Sequence, residues 1–376
     1  MVDIVVVRTA NSIIYDPRVK KIIDSLSKKY SIFALGWNRD GISQEEIDNY
    51  KVKVELFRLK TSVWKPSLMR IFTRLLIFFP PFWMWVLIKL LIQRPKIVHA
   101  CDLDTILPCY IYKILFGKKL VFDIFDRYAM ALIPLRFKRL FHVINFFEEF
   151  FCKHSDALII AGGEKVLKTI QNKPKHFAVL MNCPQEYFID NENTKSKDGD
   201  HNFKLVYTGG IRRDRALESV AEAIRELNSI NFVIAGPIID KKVLLKMQEL
   251  SNVKYQGLLP PIKALSLEAS SDLLVALYTP EVLWNSITLP NKLFEAMMCG
   301  VPIITNVANE IVNETGCGII VEYDNVEQIK GTIIKLRDDP TLRKRLGENG
   351  RKAFLEKYNW GIMEQKLYKI YDELLK

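Results

Sequence analysis

What most constrains this chain is a rhythm: apolar runs of strand length alternate with stretches of helical period, pause at a polar segment near the middle, and begin again. In the first half the runs are DIVVVR (3–8), YSIFALG (30–36), KVKVELFRL (51–59), PKIVHA (95–100), KKLVFDIF (118–125) and DALIIA (156–161), with helical stretches such as 17–29 and 137–153 between them. In the second half they are FKLVYTGG (203–210), NFVIAG (231–236), NVKYQG (252–257), DLLVAL (272–277), VPIIT (301–305) and GIIVE (318–322). Short runs this apolar bury both faces, and a helix after each returns the chain for a parallel partner. The segment 190–202 (DNENTKSKDGDHN) carries no apolar period and reads as a linker. At 376 residues the chain exceeds one ordinary core and suits two. The expected architecture is α/β: two doubly wound, Rossmann-like domains in succession.

Charge is divided unevenly between the halves. Residues 1–180 carry 29 Lys and Arg against 16 Asp and Glu, a net of +13, while the remainder carries 25 against 27, a net of −2. A basic first half points to an anionic surface met by that half: a membrane, a lipid phosphate or nucleic acid. No nucleic-acid module is recognisable, so nucleic acid is not the expected partner. The cysteines (Cys101, Cys109, Cys152, Cys183, Cys299, Cys317) form no C-x-x-C pair and read as small buried hydrophobes in a reducing compartment. The opening MVDIVVVRT is already a strand, with no basic segment leading into an apolar run, so no secretory leader is read there and a cytoplasmic protein is expected.

One stretch breaks the rhythm. Residues 75–92 (LLIFFPPFWMWVLIKLLI) hold a single charge, Lys89, and a central Pro80-Pro81 pair that is expected to split them into two shorter helices. Arg70, Arg74, Lys89, Arg94 and Lys96 flank or punctuate the stretch, and Trp83 and Trp85 sit beside the break. Aromatics and cations around an apolar run suit a membrane interface, over about 66–94. Burial against the first sheet and true spanning are the alternatives, which periodicity does not separate.

The stretch richest in chemistry is 289–305, LPNKLFEAMMCGVPIIT. Pro290 can start a helix, Lys292 and Glu295 then share one face, Gly300 ends it, and 301–305 is a buried strand. Amides at such a helix start, with Lys292, suit a diphosphate, and Glu295 can accept hydrogen bonds from a ribose. Solvated side chains are the plain alternative. Gly209 and Gly210 suit close approach of backbone to phosphate.

PNKLFEAMMCGVPII resembles the donor-site motif of family 4 glycosyltransferases, retaining enzymes of the GT-B fold. Similar segments follow the family's order: DPRVKKIIDSLSKKYSIFALG (16–36), PKIVHACDLD (95–104), VLMNCP (179–184) and LVYTGGIRRDRAL (205–217). The resemblance implies two Rossmann-like domains facing across a cleft: an acceptor-binding domain (1–184), a linker (185–202), a nucleotide-sugar domain (203–357) and a closing amphipathic helix (358–376) crossing back onto the first domain.

Residue by residue, Glu295 matches the second Glu of the family's E-x7-E motif, which holds the ribose. The first Glu falls at Ile287, and Asn285, Ser286 or Thr288 stand nearby to replace it. The family's phosphate-binding Arg and Lys align with Gly210 and Arg215, with Arg212 and Arg213 adjacent. The donor set implied is Gly209, Gly210, Arg212, Arg215, Asn285, Thr288, Leu289, Pro290, Asn291, Lys292 and Glu295. In the first domain a His common in the family is replaced by Phe125. That leaves Asp123 and Asp126 as candidates to activate an acceptor hydroxyl, with His99 the candidate His. Asp16, Arg18, Asp102 and Asp126 are the acceptor-side set, and Asp126, His99, Arg215 and Lys292 the catalytic one. Asp102 and Asp104 form a D-x-D, but its place in a doubly wound domain argues against a metal role. No cofactor and no essential metal are expected, since Arg215 and Lys292 can neutralise the leaving diphosphate.

The function implied is retaining transfer of a sugar from a nucleotide-sugar donor to an oligosaccharide or, more specifically, a lipid-linked acceptor. It would act peripherally at the inner face of the cell membrane, on an anionic surface, in polysaccharide or glycan assembly. The missing Glu and His leave open a catalytically silent sugar-nucleotide-binding subunit that supports a partner transferase.

Overall fold

The computed structural model describes residues 2–9, 13–39, 41–59, 77–133, 137–187 and 202–376. Each apolar run above forms a strand. Among the described residues the first sheet holds β1 (Ile4–Arg8), β2 (Ile32–Trp37), β3 (Lys53–Phe57), β4 (Ile97–Cys101), β5 (Lys119–Ile124), β6 (Ala157–Ile160) and β7 (His176–Val179), ordered β3-β2-β1-β4-β5-β6-β7. The second holds β8 (Phe203–Thr208), β9 (Ile230–Ala235), β10 (Val253–Tyr255), β11 (Leu273–Ala276), β12 (Ile303–Thr305) and β13 (Gly318–Ile320), ordered β10-β9-β8-β11-β12-β13. All pairings are parallel. The central strands are buried throughout, Ile4–Val7 of β1 completely, as helices on both faces demand. β7 has no counterpart among the expected runs: it is a half-exposed edge strand whose sequence, HFAV, is too short and mixed to stand out.

The chain divides into two compact units, Met1–Met181 with Glu364–Lys376, and Asn182–Met363. Within the first unit, Tyr371 of the helix Trp360–Leu375 is fully buried, the Tyr368 hydroxyl donates to the Ser25 carbonyl at 2.9 Å, and Lys28 pairs with Glu364 at 2.7 Å. All six cysteines are buried and unbridged.

The segment around Pro80-Pro81 is described from Ile77 onward. Both prolines lie in the first turn of the helix Phe79–Gln93, and the residues before Ile77, where the other expected helix falls, lie outside the described residues. Proline is harmless there because first-turn amides have no partner within the helix. Phe82, Val86 and Leu90 face inward, and the helix packs on its neighbour Leu103–Phe116. Trp83 donates through Nε1 to the Asp104 carbonyl at 2.8 Å, and Trp85 packs against Phe57 and Phe82. The exposed apolar side chains are instead Ile77, Met84, Ile88, Leu91 and Ile92, joined by Ile114, Leu115 and Phe116 of the neighbouring helix. No helix among the described residues is long and apolar enough to cross a membrane. Residues 66–76 of the expected interface segment, with Arg70 and Arg74, and 188–201 of the expected linker lie outside the described residues.

Candidate functional site

Each sheet has a switch point where the strand order departs in both directions: between β1 and β4 in the first, between β8 and β11 in the second. Connections leave such neighbours toward opposite sides, so a crevice opens beyond their carboxyl ends, where open α/β sheets bind ligands.

At the second switch point β8 runs into Gly209 and Gly210. A Cβ at the adjacent Gly236 would meet the Gly209 carbonyl oxygen at 2.1 Å, so two backbones touch here and glycine is required. The loop then turns through Arg213–Arg215, and the Asp214 carbonyl accepts from the Thr279 amide at 3.1 Å, tying the loop after β8 to the loop after β11. That tie lays the Arg215 guanidinium on the Tyr278 ring, 4.3 Å from its centroid, with the Asp214 carboxylate 2.9 Å away. Such stacking leaves an arginine's in-plane donors free to meet an anion. Arg212 is exposed and gives two 2.9 Å hydrogen bonds to Asp214, and Arg213 is exposed 3.6 Å from Asp240.

Helix Asn291–Cys299 supplies the rest. It starts after Pro290 and ends at Gly300, in the left-handed conformation. Lys292 and Glu295, one turn apart, bond to each other, and both side chains are 20% exposed. Lys292 Nζ also donates to Glu268 Oε1 at 2.8 Å. Glu268 lies in helix Pro261–Ala269 and is completely buried. Its Oε1 accepts from the Thr208 hydroxyl as well, while Oε2 has no partner among the described residues. Burial, then the charge of Glu295, pushes the Glu268 carboxyl up to about 7 against the pull of Lys292 and Thr208. Burial draws Lys292 down, but the two carboxylates outweigh it and hold the ammonium above its usual range. Burial raises the Tyr278 phenol, which feels the charges of Arg215, Lys292 and Glu295 together, so the three belong to one cluster.

Other donor-set residues are placed differently. Asn285 is buried and donates to the Thr279 carbonyl at 2.8 Å, which occupies its amide in holding the loop. Ser286 turns back on the Leu283 carbonyl, Thr288 and Leu289 are half-buried, and Pro290 is buried. Asn291 is exposed and accepts from Asn182 at 3.0 Å.

The first switch point gathers more charge but seals it in. Arg8, at the end of β1, bonds Asp102 at the end of β4 and also Asp16, 3.0 Å from its Nε. Asp16 caps helix Pro17–Leu26, and Arg18 reaches the Asp123 carboxylate at 2.8 Å and the Leu180 carbonyl at 2.6 Å. Phe125 lies against both guanidiniums, 4.1 Å from Arg8 and 4.9 Å from Arg18. Arg8, Asp16, Arg18, Asp102 and Asp123 are all buried. Burial pushes the Asp102 carboxyl up to about 7 in spite of Arg8. Burial works the same way on Asp123, but Arg18 and His99 prevail and hold it below its usual value.

The expectation of His99 as a cleft histidine is corrected: it is fully buried, bonded through Nδ1 to the Tyr371 hydroxyl and with Nε2 3.3 Å from Asp123. As a member of the central strand β4 it lies under the helices, where no substrate reaches it. Asp16, Arg18, Asp102 and Asp123 are likewise closed off in this network. Asp126 is exposed at the end of β5, its amide turned to Asp102. Sequence reasoning missed Arg8, Glu268 and Tyr278. The one signal for Glu268 was an acid inside the otherwise apolar and small run ALSLEASS.

Residues 202–339 match the family described as glycosyl transferases group 1. An uncharacterized glycosyltransferase of Methanocaldococcus jannaschii is 27% identical over 49% of this chain and 49% of its own length. A GDP-mannose-dependent mannosyltransferase of Corynebacterium glutamicum, acting on a monoacylated phosphatidylinositol monomannoside, is 35% identical over 20% of each chain. The chain spans about half the length of the first of these relatives. In structure it is similar to HepE of Anabaena, crystallised with UDP, with a TM-score of 0.74 and 14% identity over 99% of this chain and 100% of that one.

Proposed function

We propose that this chain, whose residues 202–339 match the group 1 glycosyl transferases and whose fold is similar to that of HepE, transfers a sugar from a nucleotide-sugar donor, with retention, to a lipid-linked acceptor. The observation that carries the reading is the convergence of Arg215, Lys292 and Glu295 around Tyr278 at the second switch point. Arg215 and Lys292 meet the diphosphate together with the free amides of helix Asn291–Cys299, and Glu295 accepts from the ribose hydroxyls. As the glycosidic bond breaks, negative charge grows on the leaving diphosphate, and these cations stabilise it more in the transition state than in the ground state. A donor phosphate oxygen takes the acceptor's proton, so neither a separate protein base nor a metal ion is required. UDP bound to HepE and GDP-mannose used by the corynebacterial relative support a nucleotide-sugar donor.

The acceptor side rests on the basic first half and on the exposed apolar side chains Met84, Ile88, Leu91 and Ile92 with Ile114, Leu115 and Phe116. Attachment to the inner face of the membrane is peripheral. Flotation with anionic liposomes is expected, weakened but not abolished by salt, and weakened further by Met84→Asp with Ile88→Asp. A second reading, a silent sugar-nucleotide-binding subunit, is favoured by Ile287 in place of the motif's first Glu and by the sealed charges of the first unit. Label transfer from UDP- and GDP-sugars to a membrane lipid extract, with chelator present, separates them. Transfer with retained anomeric configuration supports the first reading; donor binding without transfer supports the second.

A further inference from the structure

Lys292 is asked to face a diphosphate, yet it is held between two carboxylates. With Glu268 and Glu295 both ionised the trio is net negative, and an approaching diphosphate meets a carboxylate pair rather than a cation. Glu268 is also the one member completely closed to water, with an oxygen, Oε2, that nothing among the described residues satisfies. A buried carboxylate oxygen without a donor is costly, and a proton on it removes the charge.

We propose that Glu268 is a positioning residue that takes up a proton when the donor's diphosphate arrives, freeing Lys292 to turn its charge to phosphate. The inference rests on the donor-site reading above. The proton comes from solvent and ends on the Glu268 carboxyl; no other bond is made or broken. Thr208 keeps Oε1 in place in both states, so the side chain changes charge without changing position.

The groups facing Glu268 are Thr208 from β8 and, from helix Asn291–Cys299, Lys292, Glu295 and the Cys299 thiol, which burial keeps protonated. Around Lys292 and Glu295 stand Tyr278, Arg215 and Asp214. The carboxyl sits at about 7 in the free protein, because burial and Glu295 oppose Lys292. A diphosphate beside it adds negative charge and raises it further. Binding then takes up a proton wherever the free carboxyl is ionised, and in that range affinity falls by up to roughly tenfold per pH unit.

The test is calorimetry with UDP-glucose and GDP-mannose, whose esterified diphosphates do not titrate near neutrality, in buffers of different ionisation enthalpy. Expected is a buffer-dependent heat that reports proton uptake in the natural chain and is lost in Glu268→Gln. The Gln amide fits the position of unpartnered Oε2, so this variant keeps the Thr208 and Lys292 bonds. Its affinity should be flat with pH. In the free protein, infrared difference spectra between the two chains should contain a protonated-carboxyl band that titrates near neutrality. Nucleotide sugar bound without proton uptake, uptake unchanged in Glu268→Gln, or no such band overturns the proposal and leaves the donor site standing. Absence of binding by both nucleotide sugars, with the band present, instead contradicts the donor reading and the linkage with it.

Discussion

The two switch points use the same device to different ends. At each, a cation at the carboxyl edge of the sheet lies between two carboxylates, one of which burial pushes up to about 7: Arg8 between Asp16 and Asp102, Lys292 between Glu268 and Glu295. At the first, all three members are buried and the cation bonds directly across the switch point, so the crevice is closed by its own charges. At the second, the cation and one carboxylate stay partly open, and the crossing is made by backbone, from Thr279 to Asp214. Charge satisfied internally holds a fold together; charge left partly open can meet a ligand. Residue type alone does not distinguish the two cases.

The largest expected effect breaks the closed site. Arg8→Ala strands two buried carboxylates and should cost about 3–5 kcal/mol in denaturant unfolding. A loss under about 1 kcal/mol would mean the first site is as open as the second. Next, Glu295→Gln should weaken nucleotide binding by roughly 1.5–3 kcal/mol, the range for a hydrogen bond to a charged group, with the unfolding midpoint little changed. Unchanged affinity in calorimetry would remove Glu295 from the ribose.

Stability against pH sharpens the parallel between the sites. Asp102 and Glu268 stand at about 7 when folded, against 3.8 and 4.5 as their ordinary values. The folded chain therefore binds extra protons between about pH 4 and 7, and stability falls as pH rises through that window, by at most about 1.4 kcal/mol per unit for each group. Asp123 is shifted the other way, so its contribution is lost only as pH falls below its ordinary 3.8. Denaturant midpoints from pH 5 to 8 check the sign, and midpoints that climb from pH 5 to 7 would contradict it. The smallest effect is that of Arg212→Ala. Its partner Asp214 also has Arg215, and the pair is exposed, so stability should change by about 0–1 kcal/mol. Nucleotide affinity should barely move, and a large loss would place Arg212 in the donor site beside Arg215.

The sheets were legible because buried parallel strands must be apolar on both faces, which marks them in any sequence. β7 escaped because an edge strand carries no such demand. Pro80 and Pro81 mark the start of the helix Phe79–Gln93, a place that tolerates proline because first-turn amides have no partner within the helix. In the cluster at the second switch point, Lys292 and Glu295 were visible because one helical turn fixes their spacing. Glu268 was not, since its bond to Lys292 joins separate helices that only the sheet brings together. His99 and Asn285 show the converse: each has the right chemistry near the right strand end, and each is spent on neighbours the sequence does not reveal, Tyr371 and the Thr279 carbonyl.

The central claim is that the second switch point grips a diphosphate. It is tested most directly by titrating the natural chain, Arg215→Ala and Lys292→Ala with a nucleoside diphosphate and with the corresponding nucleoside, using UDP and uridine and then GDP and guanosine. Each substitution should weaken the diphosphate by roughly 1.5–3 kcal/mol while leaving nucleoside affinity nearly unchanged. Equal losses for both ligands, or no loss for either, would show that these cations do not touch phosphate.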